Sequence, residues 1–444
     1  MKFPKFLTIL LAVLAATAII AAGCGSDDED TADPPPTTAA PATTAAPATT
    51  AAPATTAAPR PPSGVVPTED FRLGYILPST GNLSILSEPM IRAVELATRE
   101  INLAGIQVVQ LYPGDSGTDQ AVANNTADDL IADSVDGIVG TASSGIALSI
   151  IDKIAAAEIP MVSPGNTSPT FTNYDDGGYY FRTAVTDALQ GRVLGDLVTQ
   201  EGGIDVAILF RGDDYGRSLA EITEMQLEAN GATVVASVQL DPDGTTFTAQ
   251  VQEAVASNAD SVVLIAFEEG AKVIAQMTEA GVGPDVVNIF VPDGMASNDL
   301  WESVNPDDPS SVEGIFGTRP APSADAEATF PQRFAEFAPG VDEIFSSQAY
   351  DAAVILVLAA LVAGTNDPSV FAAEINDVTR GGTKCDSYVD CANLVLDGVD
   401  IDYDGASGPL DFVDAGEPGA GSYDLFRFGA DGSIVEFGFV TLGG

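Results

Sequence analysis

Residues 261–280 read Ser261-Val-Val-Leu-Ile-Ala-Phe-Glu-Glu-Gly-Ala-Lys-Val-Ile-Ala-Gln-Met-Thr-Glu-Ala280. The unbroken apolar run Ser261–Phe267 predicts a strand buried on both faces, and Gly270–Ala280 predicts the helix that follows it. The same pairing continues outward. A strand is predicted over Val286–Val291 on one side. On the other lie Asp205–Phe210 (strand), Gly216–Asn230 (helix), Thr233–Leu240 (strand) and Phe247–Ser257 (helix). An earlier series starts with a strand at Phe71–Leu77 and a helix at Glu88–Asn102, where Ile91, Val94, Ala97 and Ile101 recur every three or four residues. It continues through Gln107–Leu111 (strand), Gln120–Ala132 (helix), Gly137–Gly140 (strand), Ala147–Ala157 (helix) and Ile159–Ser163 (strand). Short Val/Ile/Leu runs alternating with amphipathic helices predict an α/β fold with parallel sheets covered on both faces. Two such series, broken near Arg182–Asp187, predict two doubly wound, Rossmann-like lobes. Ligands bind beyond the carboxyl ends of strands in such sheets. That singles out the loops Pro78–Ser84, Thr141–Gly145, Ser163–Pro169, Arg211–Gly216, Phe267–Gly270 and Pro292–Met295.

The chain has 444 residues, 45% of them hydrophobic, and a net charge of -47. So few Lys and Arg exclude a nucleic-acid partner, which needs basic patches, and exclude docking on anionic lipid through protein charge. The acids form a solvated, self-repelling surface. The absence of histidine removes Ser-His-Asp and Cys-His catalysis and His metal sites, and no other nucleophile motif has its partners. No enzyme activity, catalytic residue, cofactor or metal is expected.

Lys2 and Lys5 precede an apolar run, Leu7–Ala22, that is shorter than a full membrane span. Ala21-Ala22-Gly23-Cys24 follows and resembles the bacterial lipobox, whose cysteine is diacylated and becomes the new N-terminus. Residues 1–23 are accordingly expected to be a lipoprotein signal peptide, with lipidation at Cys24 and an extracytoplasmic, membrane-anchored location. Residues 24–68 are expected to be a disordered tether. Prolines 41, 47, 53 and 59 are separated each time by Ala-Thr-Thr-Ala-Ala, which offers nothing to pack. At ~3.1 Å per residue its extended reach is on the order of 100 Å. Ala352–Ala363 is apolar but too short for a span and predicts a buried helix. Cys385 and Cys391, six residues apart and outside the cytoplasm, are expected to form a disulfide, with a metal site as the lesser alternative. Asp400, Asp402 and Asp404 lack the distal Glu of a calcium loop.

The stretches Gly74–Gly81, Val139–Ser144, Ile159–Pro169, Phe181-Arg182, Asp214–Gly216, Ala280-Gly281, Pro292–Gly294, Glu313-Gly314 and Tyr350–Ala353 together resemble the type I periplasmic binding proteins. The likeness is to the branched-chain amino-acid (leucine/isoleucine/valine) group and covers about 71–440. It implies two lobes joined by three crossovers, near Thr183–Asp187, Thr318–Pro320 and Gly408–Phe412. The first lobe would then comprise 69–185 with 320–408, and the second 186–319 with 409–444. It implies a small-molecule ligand, an amino acid or similar, delivered to an ATP-binding-cassette permease by a monomer. A ligand sensor working with a membrane receptor is the alternative. On the family pattern Ser144, Gly165 and Thr167 would hold the ligand carboxylate and Asp293 its amino group, with Tyr215 lining the cleft. Phe267 stands where relatives often carry Tyr, and Leu86 where an aromatic is usual, so both departures bear on which ligand is bound. Each residue also has a plain structural reading: helix capping for Ser144, turn formation around Gly165 and Asp293, local packing for Tyr215. Asp115 matches a structural aspartate and is left out of the site.

Overall fold

β1 (Phe71–Ile76) is buried along nearly its whole length, as a central strand must be. The computed structural model, which describes residues 64–443, pairs it in parallel with β2 (Val109–Tyr112) on one side and β3 (Gly137–Gly140) on the other. The signal peptide, Cys24 and most of the expected tether lie outside the described residues. β4 (Met161–Ser163) and β5 (Tyr180–Arg182) complete a parallel sheet of order β2-β1-β3-β4-β5. Its strands are linked through α1 (Ser87–Ala104), α2 (Gln120–Ala132) and α3 (Ser144–Ala156).

The chain then builds a second sheet through α4 (Asp187–Gln200), β6 (Asp205–Arg211), α5 (Asp214–Ala229), β7 (Thr233–Leu240), α6 (Thr248–Ala256), β8 (Ser261–Ile265), α7 (Glu269–Glu279), β9 (Asn288–Val291), α8 (Leu300–Val304) and β10 (Phe316–Ala321). Its parallel part, β7-β6-β8-β9-β10, repeats the order of the first. Each sheet therefore has one point where strand order reverses, between β1 and β3 and between β6 and β8, and crevices for ligands open at such points.

After β10 the chain forms α9 (Phe330–Phe337), α10 (Ser346–Ala363) and α11 (Pro368–Phe371). α10 packs on α1 and on β3 and β4, so it completes the first sheet's layer from far along the chain. All 18 of its residues are buried, which explains why a helix apolar enough to cross a membrane is here a core element. Gly137 permits the contact with β3, since a Cβ there would lie 3.0 Å from Leu356 Cδ2. β11 (Thr383–Cys385), α12 (Tyr388–Leu396), β12 (Ile401–Gly405) and β13 (Gly408–Pro409) follow. Cys385 and Cys391 form a disulfide that ties β11 to α12. The hairpin β14 (Ala420–Phe428) and β15 (Ile434–Gly443) then adds two antiparallel strands beside β10.

Two expectations differ from the structure for local reasons. α3 begins at Ser144 rather than Ala147, because Ser143 is the extended cap residue (φ -87°, ψ 128°) and Ser-Gly forms helix instead of loop. α4 had no counterpart in the pattern. Thr186 caps it by accepting from the Ala188 N–H at 3.3 Å, so the break between the two series is itself a helix start.

Candidate functional site

Six of the seven expected ligand-binding residues, Leu86, Ser144, Gly165, Tyr215, Phe267 and Asp293, line one cavity between the two sheets. They arrive from the loops after β1, β3, β4, β6, β8 and β9. Thr167 is fully buried one layer back, where its hydroxyl donates to Asp187 Oδ2 at 3.0 Å.

The first sheet contributes the start of α3 and the loop after β4. Ser143 caps α3 without a side-chain hydrogen bond, so the first turn of this 13-residue helix keeps its N–H groups. Helix N-termini of this kind favour negative charge. Ser144 Oγ accepts from the Ser168 N–H at 3.3 Å, which ties the helix start to the loop after β4. Arg182, fully buried, holds that loop from behind: its Nη1 donates to the carbonyls of Asn166 (3.0 Å) and Ser168 (2.7 Å). Its charge is balanced by Glu417, which accepts from Arg182 Nε at 2.8 Å.

The opposite side of the cavity contributes buried carboxyl groups. Asp293 Oδ1 accepts from Tyr215 OH at 3.0 Å and from Gln190 Nε2 at 2.9 Å. Burial raises its carboxyl pKa to about 6, against the lowering effect of those two donors. Asp187, also fully buried, is pushed well above the usual carboxylate range by burial first and then by the charge of Asp293. Asp187 Oδ1 and Gln190 Oε1 are buried acceptors with no protein donor. Buried acceptors without donors are costly, and both lie behind Asp293, the carboxylate of this cluster that lines the cavity. Tyr215 is placed by the start of α5, where Asp213 caps by accepting from the Gly216 N–H at 3.0 Å. Phe267 stacks on Tyr215 with centroids 5.2 Å apart, and the Arg211 guanidinium covers Phe267 at 3.7 Å. Gly294 must lack a side chain, since a Cβ would lie 2.7 Å from the Ala266 carbonyl oxygen. The rest of the lining is apolar: Leu83, Met90, Ala142 and Phe345 join Leu86.

Asp187 and Gln190, which back Asp293, are the residues of this cluster that sequence reasoning missed. An acid in the first helical turn ordinarily reads as a partner of the helix dipole. The available signal was a Thr-Asp helix start at the crossover itself, with a glutamine three residues on. Asp115 stays outside the site, accepting from the Thr80 hydroxyl at 2.6 Å and the Gly117 N–H at 2.8 Å.

Comparisons with known proteins bear on the fold and the family. The sequence model of the periplasmic binding protein family matches residues 70–430. A Leu/Ile/Val-binding protein homolog of Brucella abortus is 29% identical over 382 residues, covering 83% of this chain and 93% of the relative. Among solved structures, the leucine binding protein LivK of Thermotoga maritima superposes with a TM-score of 0.71 at 21% identity, covering 83% of this chain and 98% of that one. A solute-binding protein of an ABC transporter from R. palustris, in complex with 4-hydroxybenzoate, gives a TM-score of 0.68 at 18% identity over 84% of this chain and 97% of that one. The matched span takes in the first sheet, the second as far as β14, and every loop of the cleft. This chain belongs to the periplasmic binding protein family, a solute-binding rather than enzymatic family, and has the type I fold of its leucine/isoleucine/valine-binding branch.

Proposed function

We propose that this chain is the solute-binding lipoprotein of an ABC importer and that its ligand is an α-amino acid with an apolar side chain. The observation that carries the ligand class is Asp293, a buried carboxylate that lines the cavity, with the second buried acid Asp187 behind it. An ammonium group supplies three N–H donors and the compensating charge. A benzoate supplies neither, and it would place a further anion beside two buried acids. Ser144, Gly165 and the first turn of α3 take the ligand carboxylate, Thr167 fixes Asp187, Tyr215 and Phe267 wall the cleft, and the apolar residues around Leu86 receive the side chain. The two lobes, 69–185 with 320–408 and 186–319 with 409–444, close on the ligand in a monomer. The anchor is Cys24, supported by the basic start, apolar run and lipobox-like Ala-Ala-Gly-Cys. The 24–68 tether lets the folded part reach its permease.

Isothermal titration with L-leucine, its deaminated 2-oxo acid and benzoate tests this. Leucine is expected to bind and the oxo acid to bind at least about 100-fold more weakly, the loss typical of unpairing a buried charge. Binding of benzoate without leucine would sink the proposal. A pH series adds a second expectation. Binding an ammonium requires ionised Asp293, so affinity is level above the carboxyl pKa of about 6. Below it, protonation removes the charge and affinity falls by about tenfold per pH unit. Affinity that stays level down to pH 4.5 would remove Asp293 from the binding step.

A further inference from the structure

The chain passes three times between the part built on the first sheet and the part built on the second: after β5, after β10, and between β13 and β14. Residues from all three passages line one cavity of about 220 Å³. Thr183 and Val185 come from the first, Ser323 from the second and Leu410 from the third, joined by Gln348 of α10 and Thr441 of β15. It shares no residue with the cleft described above. Two close packings frame it. The Ser323 N–H donates to the Ser407 carbonyl at 2.9 Å, and a Cβ on Gly421 would lie 2.8 Å from Val185 Cγ1. Any rotation of one part against the other bends these passages and reshapes the cavity. Gln348 is only 5% exposed. Its carbonyl accepts from Thr183 Oγ1 at 2.8 Å and its Oε1 from Ser347 Oγ at 2.9 Å, but its Nε2 donates to no acceptor among the described residues. A buried amide donor without an acceptor is costly, and a ligand oxygen in the cavity removes that cost. The charges narrow the ligand further. No Lys or Arg lines the cavity, whereas Asp325 and Asp411 do, so an anion is repelled. Asp411 already faces Lys384 Nζ at 3.8 Å.

We propose that this cavity is a second small-molecule site, for a neutral polyhydroxylated solute such as a small polyol, and that its occupant favours the closed cleft. A hydroxyl oxygen accepts from Gln348 Nε2, a hydroxyl hydrogen donates to Asp325, and the carbon skeleton lies against Val185 and Leu410. The cavity has its present shape while loops of the two parts touch across the cleft: Asn82 Nδ2 donates to the Pro242 carbonyl at 2.9 Å, and the Asn82 carbonyl accepts from the Glu268 N–H at 3.0 Å. An occupant that fits this shape stabilises the arrangement in which those contacts exist. The site itself is independent of the amino-acid reading of the cleft; only its coupling to leucine rests on that reading. Saturation-transfer NMR titration of the purified chain with xylitol tests the site. Polyols at high concentration also stabilise proteins by exclusion from the surface, so the signal must saturate and must depend on the cavity. Gln348→Leu is expected to weaken xylitol binding about tenfold, and Thr441→Trp, which fills the mouth from an exposed position, to abolish it. Saturating xylitol should raise leucine affinity about fivefold or more, and leucine should raise xylitol affinity by the same factor. No saturable xylitol binding, or binding that both variants leave unchanged, would overturn the site. Xylitol binding with leucine affinity unchanged would overturn the coupling. If leucine fails to bind at all, the amino-acid reading falls while the xylitol titration still decides the cavity.

Discussion

Asp293→Asn is expected to weaken leucine binding by about 100-fold or more, equivalent to roughly 3 kcal/mol, as measured by isothermal titration at pH 7. The substitution keeps the shape and leaves an amide oxygen to accept from Tyr215 and Gln190, so the loss isolates the charge. Stability should move the other way. Burial raises the Asp293 pKa to about 6, above the value of an unfolded chain, so the folded state opposes ionisation. That opposition reduces ligand-free stability progressively as pH rises from about 4 through 6 and reaches its full size at pH 7. Removing the ionisable group should therefore raise the unfolding free energy by about 1–2 kcal/mol at pH 7, with the gain vanishing below about pH 4. A variant that is more stable and binds less would mark Asp293 as a residue held for its ligand. Unchanged leucine affinity would refute the assignment.

Arg182→Ala is expected to destabilise the protein by about 3–5 kcal/mol in urea unfolding. Glu417 is 6% exposed, and the substitution would leave its charge buried without the guanidinium. The Asn166 and Ser168 carbonyls would lose their donor as well, so the loop after β4 should slacken and ligand affinity should fall. The companion Arg182→Met/Glu417→Leu removes both charges and should recover much of the stability, since an apolar pair of similar volume often matches a buried ion pair. It should not recover affinity, because the two carbonyls remain without a donor. Recovery of both would mean that Arg182 only balances charge and does not shape the loop.

The alternating core was legible because its pattern is local. Thr233–Leu240 and Gln120–Ala132 occur where apolar spacing predicts them. β10 was illegible because Gly317, Arg319 and Pro320 make it read as loop, and its pairing with β14 is supplied from a hundred residues downstream. The same division holds in the site. Tyr215 and Asp293 stand in loops that strand ends mark, so the family pattern reaches them. Asp187 joins a buried acid pair only because Gln190 and Asp293 converge beside it, and no spacing within α4 encodes that. The resemblance implies Thr167 for the ligand carboxylate, whereas its hydroxyl donates to Asp187, a contact across the crossover.

The placement of α10 also sets a timetable for biogenesis. The first sheet is complete in sequence by Arg182, yet the helix that covers β3 and β4 begins at Ser346. At synthesis rates of about 5–20 residues per second, roughly ten to thirty seconds separate the two. Throughout that interval Val139 and Val162, both fully buried in the finished protein, lack their cover. An early fragment of this chain is thus a sticky, unfinished object until the most apolar of its described helices has been made.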